Sequence, residues 1–352
     1  MAVYKIFPEK DAFISSHDPA QNTGRDEILE VSNTNAINLD TSAQGDVPAV
    51  KRTLIQFKTT DINDIITNRI SDVAFQSNLN LYLANATVSP LDYTIETFPI
   101  SQSWNMGTGR SADSPKTDDG CSWGWRLESG SGAWNTDGGD YTSSVSGTQD
   151  FTYDSTKDIS MDVTDIVQEW NSGSLDNHGF IVKLTGSIEF SASYVDTSYF
   201  SVDTHTIYPP ELEFKWDDST YATPLTSVTS SDFILAFTNL KSEFEDSGVY
   251  NFRVKARDTY PTRAFQTSSV YLNAKALPTS SYWGLKDSKT GEMVVDFDTS
   301  YTKISADSGS NYFTVYMDGL EPERYYQLMI KTVIGDETLV IEDKGNYFKV
   351  VR

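Results

Sequence analysis

The chain has 352 residues, of which 38% are apolar and 12% aromatic, so it can build two cores and is unlike a disordered chain. Its formal net charge of −23 at pH 7 opposes nucleic-acid binding, because phosphate backbones are also negative. The single cysteine, Cys121, excludes an intrachain disulfide. Since the polar start after Met1 has no apolar signal-peptide segment, we expect neither secretion by the Sec route nor membrane insertion.

The distribution of charge and of turn residues divides the chain. Residues 1–217 carry 32 acidic and 13 basic side chains, whereas residues 218–352 carry 18 and 14. A polar, proline-containing stretch follows the segment ELEFKW that ends at Trp216. We therefore predict two domains, residues 1–217 and residues 218–352.

Apolar side chains alternate with polar ones in short segments of both parts. The clearest runs are 79–83 in NLNLYLAN, 212–216 in ELEFKW and 250–256 in YNFRVKA. This period of two predicts half-buried antiparallel strands. Further runs between residues 234 and 352, separated by turn signals such as Ile334-Gly335-Asp336, predict an Ig-like or fibronectin-like β-sandwich.

One segment has clear helical periodicity. In DVTDIVQEWNSG, residues 162–173, the apolar positions are Val163, Ile166, Val167 and Trp170. We predict one short helix near 162–171, capped by Asp162 or Ser160, with Trp170 in the core. The segment DINDIITNRI, residues 61–70, predicts a further helical turn less strongly.

Residues 102–151 form a long Gly-, Ser- and Asp-rich segment that contains four tryptophans. A glycan-binding hypothesis assigns stacking and hydrogen-bonding roles to Trp104, Trp123, Trp125, Trp134, Asp137 and Asp140. The alternative, which we favour for Trp104 and Trp134, is that these rings pin the loop onto the fold. The stretch DGGDY, residues 137–141, weakly suggests calcium, and no other cofactor is predicted.

The sequence lacks the usual signatures of catalysis. The histidines His17, His178 and His205 are isolated, and Cys121 has no base near it in sequence. Nucleotide-binding and nucleophile-elbow motifs are also missing from the sequence. We predict that the protein is not an enzyme.

Residues 4–216 resemble the DNRLRE family, a jelly-roll module similar to carbohydrate-binding modules. The matching pieces are DAFISS with the Asn22-Thr23-Gly24 turn, KRTLIQFKTTDI, NLNLYLA, GAWNTDGGDY and MDVTDIVQEWNSGSLDNHGFIVKL. The resemblance implies an all-β jelly-roll sandwich with one short helix and a role in binding glycans or surfaces.

Residues 235–352 resemble the C-terminal region of structural proteins from tailed bacteriophages, on the segments ARDTYPTRAF, LPTSSYWGLKD and DGLEPERYYQL. This implies a virion component of the neck, tail or baseplate, assembled in the host cytoplasm. Its partners would be other virion proteins, further copies of itself and a host-surface glycan. The competing hypothesis is a bacterial cell-surface or matrix carbohydrate-binding protein.

The charge division also suggests which end docks. We expect the acidic N-terminal part to project into solvent and the nearly balanced C-terminal part to bind the assembly. Aromatic and guanidinium groups are enriched at interfaces, which singles out Arg257, Tyr260, Arg263, Tyr282 and Trp283. The alternative is a local ion pair between Arg257 and Asp258, with Tyr260 and Trp283 in the core.

Overall fold

The computed structural model describes residues 2–36, 47–88, 92–128, 130–191, 194–261 and 274–352. Strands make up 46% of the structure and helices 9%. This helical share lies far below the roughly one-third that is usual in globular proteins. The predicted all-β sandwich class is confirmed. Within the ranges described, no helix combines the length and the apolar character needed to cross a bilayer.

The chain forms two compact units. One, here called the N-terminal unit, contains Ile6–Ser71 and Gln76–Glu213. The other, the C-terminal unit, contains Met1–Lys5, Asp72–Phe75 and Phe214–Arg352. Two short segments that precede residue 76 therefore group with the C-terminal unit.

Short strands dominate the first two-thirds of the chain. In chain order they are β1 (Ala2–Ile6), β2 (Lys10–Ser15), β3 (Ile28–Ala36), β4 (Val47–Gln56), β5 (Phe75–Leu81), β6 (Leu83–Val88), β7 (Tyr93–Pro99), β8 (Trp125–Glu128), β9 (Ser131–Ala133), β10 (Gly147–Phe151), β11 (Ile159–Asp162), β12 (Phe180–Leu184), β13 (Val195–Phe200) and β14 (Glu211–Trp216). A curled, antiparallel sheet has the order β10-β7-β12-β4-β3-β13-β6, and β2 pairs with β4 as its eighth strand. Elsewhere in the N-terminal unit β5 pairs with β11, and β8 with β9.

Burial follows the alternation that the sequence predicts. In β5 the side chains of Leu79 and Leu81 are buried, while the alternating Asn78 and Asn80 are partly exposed. Strand β12 differs, because it is buried along its whole length. Phe180 packs against Trp170 with ring centroids 4.6 Å apart, whereas the adjacent Ile181 belongs to the apolar cluster under the long loop. Both faces of this central strand are thus covered.

Two helical segments lie where the periodicity predicts them. Helix α1 (Thr59–Asp64) continues into a π-helical turn, Ile65–Ile70, and α2 (Thr164–Ser172) buries Ile166, Val167 and Trp170. Helix α3 (Gly186–Glu189) is a single turn. The unit therefore has more than the one predicted helix, because isoleucines at helical spacing bury the 59–70 segment as well.

The C-terminal end of α2 agrees with the sequence prediction, and the N-terminal end differs from it. Asp162 accepts hydrogen bonds from the backbone N–H of Thr164, at 3.0 Å, and from its hydroxyl, at 2.6 Å. The N-cap residue is Val163, which makes no side-chain capping bond, so the predicted cap at Asp162 or Ser160 is wrong. Asp162, one residue earlier, satisfies only the first N–H group of the helix. At the other end Gly173 adopts a φ of 76°, the left-handed conformation that commonly ends a helix.

The C-terminal unit contains two sheets. Its strands are β15 (Phe233–Phe237), β16 (Glu243–Glu245), β17 (Val249–Asp258), β18 (Ser281–Asp287), β19 (Met293–Val295), β20 (Ser305–Ala306), β21 (Asn311–Tyr316), β22 (Tyr325–Ile334) and β23 (Glu337–Val351), with a 3-10 turn at Met317–Gly319. The sheet orders are β15-β17-β21-β20 and β16-β23-β22-β18-β19. The apolar runs TLVIED and NYFKVVR near the C-terminus belong to one strand, β23, whose register with β22 shifts between Gln327 and Met329.

Aromatic rings fill the core of this unit. Trp283 stacks on Phe313 with centroids 5.0 Å apart and an angle of 10° between the ring planes. Phe252 stacks on the same ring at 5.7 Å and lies 5.5 Å from Phe348. These residues come from strands of both sheets, so the unit is a two-sheet sandwich.

Candidate functional site

The long loop after β7 is held on the large sheet by two of its tryptophans. Trp104 and Trp134 are 3% and 5% exposed. The indole N–H of Trp104 donates to the carbonyl of His178 at 2.8 Å, and that of Trp134 donates to Ser122 at 2.9 Å. Neither ring offers a face to a ligand, so the glycan-stacking assignment is wrong for these two residues and the anchoring alternative applies.

The other two tryptophans of the loop are partly exposed to solvent. Trp123 and Trp125 are half-buried. The guanidinium of Arg52 lies 5.0 Å from the Trp123 ring centroid, a cation–π contact on one face of the ring. Trp125 lies in β8 and pairs with Ala133. The backbone N–H of Gly124 donates to the Pro19 carbonyl at 3.1 Å, which ties this hairpin to the loop after β2.

A buried ion cluster underlies this hairpin. Arg52 makes two hydrogen bonds to the Glu189 carboxylate, at 2.7 and 2.8 Å, and a third to the Gly138 carbonyl at 2.7 Å. The Lys183 ammonium lies 3.3 Å from the same carboxylate. Sequence reasoning missed this cluster, and the available signal was a charged Arg52 at the start of the strand-like run RTLIQF.

Asn22 is the central residue of the loop packing. Its side-chain amide is fully buried and donates to the carbonyls of Met106 and Cys121 at 2.7 and 2.9 Å. Its Oδ1 accepts from the N–H groups of Gly24 and Gly109 at 3.2 and 2.8 Å. A Cβ on Gly107 or Gly120 would lie 2.4 or 2.5 Å from this side chain, and one on Gly109 would lie 2.6 Å from the Asn22 carbonyl, so only glycine fits at these three positions.

The carboxylates of the long loop bind backbone groups of the loop. Asp140 accepts from the N–H of Asn135 at 2.6 Å and of Thr136 at 2.9 Å. Asp113 accepts from the N–H of Arg110 at 2.8 Å, a bond that lowers the pKa of its carboxyl. Asp137 is exposed. Among the residues the structure describes, no three His, Cys, Asp or Glu side chains group as metal ligands, so the calcium hypothesis has no ligand set there.

An open cleft of about 210 Å³ lies beside this loop in the N-terminal unit. Its lining residues are Phe13, Ser15, His17, Asp18, Gln21, Thr23, Ala49, Lys51 and Ser111. Strands β2 and β4 supply the floor, where Ser15 pairs with Lys51. The turn after β2 supplies one wall, and Ser111 of the long loop stands at the rim. We call this the loop cleft.

Polar groups surround the floor of the loop cleft, where Phe13 and Ala49 are only 3% and 5% exposed. The Lys51 ammonium pairs with the Glu30 carboxylate and lies 5.6 Å from the Phe13 ring centroid. Asp18 pairs with Lys116. The side-chain amide of Gln21 donates both of its N–H groups, to the carbonyls of Asn22 and Arg110 at 2.8 and 2.7 Å. Its Oε1 remains as an acceptor. Donors and acceptors thus surround the loop cleft.

Two buried groups of the N-terminal unit have shifted ionisation. Burial raises the pKa of the Asp11 carboxyl to about 7, although a 2.7 Å hydrogen bond from the Val202 N–H opposes the shift. Burial also raises the pKa of the Cys121 thiol to about 12. The thiol therefore stays protonated at neutral pH and is a poor nucleophile.

The residues predicted to dock differ in burial and in their contacts. Trp283 is 1% exposed and belongs to the sandwich core, so it cannot contact a partner. Tyr260 is 83% exposed, and Tyr282 is partly exposed on β18. Arg257 donates to the backbone carbonyl of Asp258 at 3.1 Å. The carboxylate of Asp258 pairs instead with Lys275 at 2.6 Å, so the expected Arg257–Asp258 ion pair is wrong. Arg263 lies outside the described residues.

Comparisons with known proteins identify no family for this chain. No family model matches the chain, and no curated protein matches it. A β-glucuronidase of Parabacteroides merdae, solved with glycerol in its active site, is similar at 8% identity and a TM-score of 0.16. The match covers 96% of this chain, which spans 35% of the length of the glucuronidase chain. A similarity at that score carries no argument about fold or activity.

Proposed function

We propose that this protein is a non-catalytic attachment protein whose N-terminal unit holds a glycan in the loop cleft. The lining of the cleft carries the proposal. Lys51, Gln21 and Asp18 place donors and acceptors around it, while Phe13 and Ala49 beneath them are only 3% and 5% exposed. A sugar ring matches such a lining, since its hydroxyls both donate and accept hydrogen bonds.

Binding without turnover is supported by how the neighbouring reactive groups are used. A glycosidase needs two carboxylates that flank the scissile bond in unlike environments. The loop carboxylates of Asp113 and Asp140 accept backbone N–H groups, which fits a structural role. The thiol of Cys121 is buried and protonated. We expect purified protein to leave polysaccharides intact.

We further propose that the attachment protein belongs to a tailed-bacteriophage virion and docks through its C-terminal unit. The support is the resemblance of residues 235–352 to phage structural proteins, the smaller charge of this part and the exposed Tyr260. A bacterial cell-surface carbohydrate-binding protein is the alternative. Immunogold electron microscopy separates the two, because label on phage particles supports the virion and label on uninfected cells supports the alternative.

The glycan proposal is tested by titrating the full chain with a panel of neutral and charged saccharides. We expect Lys51→Ala to weaken binding about tenfold, since one hydrogen bond from a charged donor is lost. Lys58→Ala is the matched control, because Lys58 is exposed and does not line the cleft. Equal loss of binding in both variants would show a general charge effect and would count against the cleft.

A further inference from the structure

The loop cleft is too small for a length of polysaccharide. Its volume is about 210 Å³, below the roughly 300–1,000 Å³ of pockets that enclose drug-sized ligands. A single six-membered sugar ring is a ligand of the right size. A binding groove for a glycan chain would need several such sites in a row.

The walls of the loop cleft are fixed by hydrogen bonds. The Gln21 N–H donates to the Asp18 carbonyl at 3.0 Å, which closes the turn after β2. The rim residue Ser111 is held by its N–H, which donates to the Asp26 carboxylate at 2.8 Å. Across the cleft, the Gln21 side chain donates to the Arg110 carbonyl at 2.7 Å. Because turn and rim are tied to each other, the cleft cannot widen without breaking these bonds.

On these grounds we propose that the loop cleft recognises one terminal sugar residue end-on, so that firm attachment depends on several copies binding together. This inference rests on the proposed glycan-binding function. One ring supplies few contacts, and a dissociation constant on the order of millimolar is expected for a ligand of that size. Linking several such sites raises the overall affinity by roughly 10²–10⁴-fold without any new contact.

The first test compares ligands of increasing length. For the best saccharide of the panel, calorimetry on the full chain measures the terminal monosaccharide, the disaccharide and the tetrasaccharide. We expect the three dissociation constants to agree within about threefold, since only the terminal ring enters the cleft. A tenfold or larger gain with each added sugar would overturn the end-on site and leave the glycan proposal standing.

The second test measures avidity. The full chain, biotinylated at one terminus, is assembled on streptavidin and bound to beads that carry the same glycan. We expect the assembly to bind roughly 10²–10⁴-fold more tightly than the free chain, and free monosaccharide to release it. Equal binding of free chain and assembly would overturn the proposal. If no saccharide binds in any format, the proposed function itself fails.

Discussion

At the scale of single residues, Asn22 explains how a long loop with little regular structure keeps one conformation. Its buried amide makes four hydrogen bonds to backbone groups, from the Asn22-Thr23-Gly24 turn to Gly109 and Cys121. Three glycines approach this residue so closely that a Cβ would overlap it. The loop therefore behaves as a packed part of the fold.

Replacing Asn22 by Ala should destabilise the protein by about 3–5 kcal/mol, because it leaves buried N–H and carbonyl groups without partners. Chemical denaturation followed by fluorescence measures the change. Asn135→Ala is the matched control, since Asn135 is exposed in the same loop. Equal unfolding midpoints for the two variants would contradict the central role of Asn22.

Asp11 should make stability depend on pH. Its pKa is raised from 3.8 to about 7 in the folded chain, so the folded state keeps a proton that the unfolded state releases. The free energy of unfolding should therefore fall as the pH rises from about 4 to about 7, by at most about 4 kcal/mol. Asp11→Asn should remove this dependence, and a wild-type-minus-variant difference that stays flat over this range would refute the assignment.

At individual residues, the sequence showed which residue types are present but not how deeply each side chain is buried. The four tryptophans sit in one loop and look alike in sequence, yet Trp104 and Trp134 are buried while Trp123 and Trp125 are half-buried. Their burial depends on contacts with β2, β4 and β12, which are distant in sequence. For the same reason the Arg52–Glu189 pair, 137 residues apart, escaped prediction.

At the scale of elements, helix α2 links the periodic pattern to the core. Val163, Ile166, Val167 and Trp170 recur at helical spacing and are all buried, with Trp170 against Phe180 of β12. This part of the fold was predictable because the four apolar residues lie on one face of a single short helix, so their spacing in sequence identifies them.

The substitution Trp170→Ala should cost about 3–5 kcal/mol of unfolding free energy, as removal of a buried large aromatic usually does. Thermal unfolding followed by circular dichroism checks it. Tyr153→Ala is the control, because Tyr153 is an aromatic residue of the same unit that is 55% exposed. A melting curve unchanged by Trp170→Ala would contradict the packing described for α2.

The loop cleft, in contrast, was not predictable from elements. Its lining comes from β2, β4, the turn after β2 and Ser111 of the long loop. Each segment taken alone is an ordinary strand or turn. Only the pairing of β2 with β4 and the hydrogen bonds of Gln21 bring them together.

At the scale of the whole molecule, the uneven distribution of charge favours different roles for residues 1–217 and residues 218–352. Residues 1–217 carry most of the net charge of −23, and like charges are best tolerated where water surrounds them. The proposed docking of the C-terminal unit in a phage particle predicts that Tyr260→Ala in the full chain weakens incorporation into particles without changing saccharide affinity. Quantitative immunoblots of purified particles measure the first effect, and unchanged incorporation would remove Tyr260 from the docking surface.

Calorimetric titration of a matched pair of variants tests the central claim most directly, that the loop cleft holds a saccharide. Ser111→Trp places an indole at the rim of the cleft, and Ser231→Trp places one at an exposed position of the C-terminal unit. We predict that wild type and Ser231→Trp bind the same saccharide equally, that Ser111→Trp binds at least tenfold more weakly, and that the saccharide is recovered unchanged. Full binding by a folded Ser111→Trp variant would contradict the account.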